Sequence, residues 1–291
     1  VQSITTTLDL RQFVSRHRQA ERPIGFVPTM GALHHGHMAL VDRCRADNDV
    51  TIVSVFVNPT QFGPSEDFDA YPRDLERDLA LCRAHGVDAV FHPGVEEMYP
   101  EPLLTVVEVA DLSTILIGEQ RPGHFRGVAT VVTKLLNLVE PDRAYFGEKD
   151  FQQLAVVRRV ALDLSMRTSI VGVPTVREAD GLAASSRNVR LTPDERKAAP
   201  AIYEGMQAAV RLSARGERDT VLLLNAVRSR LAREPSIALL SCDLRDSATL
   251  DPLDRVMNRP AVLLVTARLG SVVLIDQVEL HPDAIREGSA A

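Results

Sequence analysis

The chain has 291 residues, 45% apolar and 25% charged, the profile of an ordinary globular protein long enough for two packed domains. A formal net charge of −6 argues against a surface that wraps nucleic acid, because phosphate neutralisation needs basic clusters that this sequence lacks. Cys44, Cys82 and Cys242 show no C-x-x-C spacing, no apolar run nears the roughly 18 residues that span a bilayer, and residues 1–7 lack a signal-peptide pattern. A cytoplasmic protein that acts on small molecules is expected, with no nucleic-acid or membrane partner.

In chain order, short apolar runs predict strands at 24–28, 50–57, 88–92, 143–146 and 170–173, with helical patterns at 36–45, 72–85, 128–139 and 151–163. This alternation predicts a Rossmann-like α/β fold, a doubly wound parallel sheet that binds ligands at the carboxyl ends of its strands. Beyond Pro174 the texture changes to helical patterns at 193–214 and 218–232, then β-rich runs at 237–244, 261–269 and 272–280. A nucleotide-binding domain over 1–175 and a smaller α+β lid domain over 176–291 are therefore expected. The chain has neither a Gly-Lys dipeptide nor a G-x-G, so Walker A and dinucleotide fingerprints are excluded.

The first strand runs into His34-His35-Gly36-His37, at the predicted start of a helix. Helix N-termini present unpaired N–H groups and a positive dipole end, Gly36 lets a polyphosphate approach the backbone, and imidazoles three residues apart project to one side. A nucleotide-phosphate site is one reading of His34 and His37. A metal pair and two plain histidines are the others, the metal reading weakened by the lack of a nearby partner for Cys44. Lysine occurs only at 134, 149 and 197, which singles out Lys149 as a compact cation suited to a triphosphate, against the plainer reading of a solvated surface lysine.

Five ordered blocks carry a resemblance. They are Pro28-Thr-Met-Gly-Ala-Leu-His34-x-Gly-His37, Phe56-Val-Asn58-Pro-x-Gln61-Phe, Tyr71-Pro-Arg73, Phe146-Gly147-Glu-Lys149-Asp150-x-Gln-Gln153-Leu and Arg177-Glu-x-Asp-Gly-Leu-Ala-x-Ser185-Ser186-Arg187-Asn188. Together they resemble the pantoate–β-alanine ligases of the class I nucleotidyltransferase superfamily. The resemblance implies ATP-dependent joining of pantoate and β-alanine through an acyl-adenylate, with release of AMP and pyrophosphate, in a homodimer.

It further implies that His34, His37, Lys149 and Arg187 are catalytic donors to phosphate. Met30, Gly147, Lys149, Asp150, Val176, Ala184, Ser185, Ser186 and Arg187 are the implied ATP-binding residues. Gln61, Gln153, Met30 and Asn58 would hold pantoate, with Phe62 as apolar wall, and Asp78 would be a ligand for Mg2+. Three positions depart from the family pattern: Arg77 stands where an acidic residue is often found, Ala184 where methionine is common, and Gln277 where asparagine is common. A methionine at 184 is expected to tighten ATP binding if the site has room. Two other readings stay open on sequence alone: a different H-x-G-H adenylyltransferase that keeps its nucleotidyl product, and a non-enzymatic ATP-binding regulator.

Overall fold

The computed structural model describes residues 1–63, 68, 71–253 and 255–282, so residues 283–291 at the end of the expected second domain lie outside the described residues. Two units emerge, one formed by residues 1–148 and 152–174, the other by residues 149–151 and those from 175 onward.

The first unit begins β1 (Gln2–Ile4), α1 (Thr7–Gln19), β2 (Ile24–Thr29), α2 (His35–Asp47), β3 (Val50–Val55), α3 (Leu75–Ala84) and β4 (Ala89–Phe91). It continues through the short helices α4 (Val95–Met98) and α5 (Ile117–Gln120), then α6 (His124–Val139), β5 (Arg143–Gly147), α7 (Phe151–Asp163) and β6 (Ser169–Val173). The strands form one six-stranded parallel sheet in the order β1-β4-β3-β2-β5-β6.

The sheet is buried on both faces because its strands are nearly continuous apolar runs. Side chains alternate: Ile24, Phe26 and Ile52 join α1 and α6 through Leu10, Phe13, Val131 and Leu135, whereas Val27 and Val53 join α2 and α3 through Met38, Val41 and Cys82. The chain steps from β2 to β3 and β4 on one side, then returns to β5 on the other. The switch point thus falls between β2 and β5, where an open α/β sheet leaves its ligand crevice.

The second unit carries α8 (Pro193–Ala198), α9 (Ala201–Ala214), α10 (Thr220–Leu231) and the antiparallel strands β7 (Ile237–Asp246), β8 (Ala261–Leu269) and β9 (Val272–Leu280). Met206, Ala209, Leu223 and Val227 pack on Leu263, Val265 and Leu274. The expected strand and helix set is present with shifted ends. The single helix expected over 193–214 is divided, because Pro200 has no N–H with which to continue the ladder. Strand β1 and helices α1, α4 and α5 were not anticipated. Among the described residues no helix is long and apolar enough to cross a membrane.

One close approach sets the position of the loop after β3. Gly127 in α6 faces the turn Pro59–Gln61, and a Cβ there would lie 2.3 Å from the Thr60 carbonyl oxygen and 2.6 Å from the Gln61 backbone nitrogen. Gly127→Ala should therefore lower stability by about 1–3 kcal/mol, measured by denaturant unfolding, because backbone rather than a flexible side chain must move. A neutral substitution would show that helix and turn are not in close contact. All three cysteines are buried, and desolvation pushes the thiols of Cys44 and Cys242 up to about 12 and that of Cys82 to about 11. A chromogenic disulfide reagent at pH 8 should label none in the native protein and all three after unfolding; rapid native labelling would contradict their burial.

Candidate active site

The turn between β2 and α2 is built from backbone N–H groups that have left the sheet ladder and need acceptors. Thr29 Oγ1 donates to the Ser54 carbonyl at 2.7 Å and accepts the Gly31 N–H at 3.1 Å. Gly31 and Ala32 then take φ of +84° and +50°, which turns the next two N–H groups inward onto Asp78 of α3. His34 is the N-cap of α2: its Nδ1 accepts the Gly36 N–H at 3.1 Å, and Nδ1 of His37 accepts the His34 N–H at 3.3 Å. Because both Nδ1 lone pairs accept, each neutral ring carries its proton on Nε2. The ring centroids lie 4.1 Å apart, so the two imidazoles are brought together as expected, while His35 is exposed.

At the end of the neighbouring strand β3, Asn58 is 1% exposed with its amide fully engaged. Its Nδ2 donates to Gln61 Oε1 and to the Gly127 carbonyl, both at 3.2 Å, and its Oδ1 accepts the Tyr99 hydroxyl at 2.8 Å and the Thr60 hydroxyl at 3.0 Å. Gln61, held at Oε1 by Asn58, directs its Nε2 to Met30 Sδ at 2.9 Å. Met30, Asn58 and Gln61 therefore form one hydrogen-bonded group, in which Asn58 orients Gln61. His124 Nδ1 lies 2.9 Å from the Gln61 carbonyl. Tyr99, His124 and Gly127 were missed in the sequence: nothing in their spacing marks them, and they matter only because α4 and α6 bring them to this loop.

Strand β5 ends at Gly147, and Glu148–Asp150 form a single 3₁₀ turn that carries Lys149 and Asp150. In the first turn of α7, Gln152 is buried, accepting the Ile117 N–H and donating to the carbonyls of Leu112 and Ile115. Gln153 beside it is half-buried. The pair thus divides into one structural amide and one facing outward from the core.

The second unit holds Val176 and Ala184–Arg187. Ala184 N–H donates to the Val176 carbonyl at 2.9 Å, Arg177 and Ala183 form an antiparallel bridge, and Ser185 Oγ accepts the Arg187 N–H at 3.2 Å. Arg177 anchors this hairpin to β9: its guanidinium reaches both oxygens of Asp276, at 2.7 and 3.0 Å, and lies 3.8 Å over the Tyr203 ring. Ala184 is 4% exposed, so its methyl group is already covered by protein. Gln277 is buried beside this pair and donates to Thr175 Oγ1 at 3.4 Å, a packing position in this unit.

Asp78 does not fit the expected role of metal ligand. Mg2+ demands six oxygens in near-octahedral array and keeps several waters, whereas Asp78 is 1% exposed and both its oxygens accept backbone N–H groups. Among the described residues no group of three His, Cys, Asp or Glu side chains is placed to hold a metal. Burial, opposed by the two N–H donors, leaves the carboxyl above its ordinary pKa.

A parallel sheet whose switch point is flanked by a histidine-capped helix and by the Gly147 turn defines an open α/β protein, the architecture in which ligands bind at the carboxyl ends of the strands. The family model for pantoate-beta-alanine ligase matches residues 2–279. A pantothenate synthetase of Bartonella quintana is 53% identical over 281 residues, covering 97% of this chain and 98% of that protein. The pantothenate synthetase structure from Thermus thermophilus superposes with a TM-score of 0.92 at 48% identity, covering 97% of this chain and 100% of the other. A pantoate-beta-alanine ligase from Francisella tularensis, solved with beta-gamma ATP and β-alanine, gives 0.76 at 33% identity, covering 96% and 97%. The chain belongs to the pantoate–β-alanine ligase family and is an enzyme of that ligase class.

Two substitutions at His34 separate its role as a cap from a role in chemistry. His34→Asn supplies another good cap acceptor and should cost only a few tenths of a kcal/mol in denaturant unfolding, whereas His34→Ala should cost about 1 kcal/mol. Both should slow ATP-dependent turnover by about 10²-fold, while His35→Ala leaves it near wild type. Wild-type turnover in His34→Asn would show that the ring acts only as a cap.

Proposed function

We propose that this enzyme condenses pantoate with β-alanine to pantothenate in two steps driven by ATP. A carboxylate oxygen of pantoate attacks the α-phosphorus, the bond from that phosphorus to the bridging oxygen breaks, and pyrophosphate leaves. The β-alanine amine then attacks the acyl carbon, the bond to AMP breaks with its electron pair on AMP, and the amine gives up its proton. Family membership and the complex of the Francisella relative with beta-gamma ATP and β-alanine support this reading.

The observation that carries the chemistry is the pair of imidazoles whose Nδ1 atoms are held by backbone and whose protons therefore sit on Nε2. Donors fixed before the reaction stabilise charge developing on phosphate without reorganising, which contributes about 10²- to 10³-fold per donor. In this reading His34 and His37 donate to the phosphates, and Lys149 and Arg187 supply full positive charge. Ser185 and Ser186 bind the triphosphate by hydroxyl and backbone N–H, and Met30, Gly147, Asp150, Val176 and Ala184 border the nucleotide. Gln61, oriented by Asn58, binds pantoate together with Gln153. Magnesium enters as the counter-ion of ATP, with no side chain assigned to it.

The reading extends to a cytoplasmic homodimer. Buried, unpaired cysteines agree with a reducing compartment, and Leu104 and Val106, 97% and 54% exposed, offer apolar surface for a second copy. The C-terminal unit takes the role of a lid. Because the acyl-adenylate forms before the amine enters, pantoate alone should support exchange of labelled pyrophosphate into ATP. A requirement for β-alanine, or equal exchange with unrelated acids, would refute the two-step order.

A further inference from the structure

The carboxylate of Asp78 is sealed inside the first unit, yet it sits directly behind the histidine turn. Its Oδ2 accepts the Ala32 N–H at 2.9 Å and its Oδ1 the Leu33 N–H at 2.8 Å. These donors immediately precede His34, and they converge because Gly31 and Ala32 are both left-handed, at φ +84° and +50°. A left-handed conformation is unfavourable at a residue with a Cβ, and a buried N–H without an acceptor is costly, so the turn depends on the carboxylate that receives its donors. Consecutive N–H groups in such a turn form an anion-binding concavity. Here a carboxylate of the chain itself fills it.

We propose that Asp78 is a positioning residue for the reaction and not a metal ligand. It clamps Ala32 and Leu33, so that His34 begins α2 as its cap and both imidazoles keep their protons on Nε2, directed to phosphate. Asp78 touches no reacting atom; it acts through His34 and His37. The inference rests on the assignment of those histidines to ATP phosphates made above.

Asp78→Asn is the near-isosteric test, since an amide can accept one of the two N–H groups but presents its own N–H to the other. In the ligand-free protein, nitrogen-15 spectra of the histidine rings read the tautomers directly. Wild type should show Nε2-protonated His34 and His37, and the variant a mixture, with unchanged circular dichroism. In pyrophosphate exchange kcat should fall by about 10- to 100-fold, as a small misplacement of donors does. The KM for pantoate and the half-saturating Mg2+ concentration should stay within about twofold, because ground-state binding is untouched.

Gly31→Ala provides a second variant should Asp78→Asn fail to fold. Its Cβ would lie 2.9 Å from Asp78 Oδ2, pushing the turn off the carboxylate without altering it, and it should give the same signature. Recovery of kcat in Asp78→Asn at high Mg2+ would overturn the proposal in favour of a metal ligand. Wild-type ring spectra with wild-type kcat would overturn it in favour of simple packing. The spectra need no turnover, so a clamp that fails is distinguishable from a wrong assignment of the reaction.

Discussion

Everything at the candidate site depends on how the chain satisfies its backbone N–H groups as it leaves β2 and enters α2. A parallel strand gives up its ladder at the sheet edge, and a helix does not begin bonding to itself for four residues. Across that gap Thr29 takes the N–H of Gly31, Asp78 those of Ala32 and Leu33, His37 that of His34, and His34 that of Gly36. The residues that read as chemistry are thus first consumed as acceptors. That use fixes which nitrogen of each ring holds the proton, and so the same bonds that close the turn decide which side of each ring can donate.

The neighbouring loops obey the same constraint with neutral groups. Asn58 is buried with every amide function engaged, and Gln61 is held through it against Met30. An amide in this position brings no charge to the edge of a core and can satisfy donor and acceptor together, which a carboxylate, an acceptor only, cannot do. The second unit solves its own version with charge. Arg177 and Asp276 pair in bidentate fashion under Tyr203 and fasten the hairpin that leads into Ser185–Arg187. Both ions are largely withdrawn from water, so removal of either partner would leave the other unpaired, and the pair acts as a fixed point of that unit.

Much of the sheet was legible because its strands are buried on both faces and read as uninterrupted apolar runs, bounded by turns. Strand β1 escaped notice, as three residues at an edge carry almost no periodicity. Helix α1 was missed although Thr6 caps it and Leu10, Phe13 and Val14 fall at helical spacing, since its other faces are charged and polar. Near the site, Gln152 and Gln153 are indistinguishable by type, and only the turn at 112–117 that Gln152 ties down separates them. Asp78 was expected as a metal ligand through the family resemblance alone; Glu76 and Arg77 beside it in α3 are charged and exposed, and nothing local reveals that Asp78 is buried.

The sequence by itself determined the alternation of elements, the family, and the His34–His37 turn at a helix start, because these depend on local pattern and on order along the chain. Only the tertiary structure decided what each polar group of that turn is bonded to. Asp78 lies 46 residues from Ala32, Asn58 is 69 from Gly127 and Arg177 is 99 from Asp276. A buried polar side chain takes its role from the donors and acceptors that packing brings within about 3 Å, and that distance is not encoded in neighbouring residues.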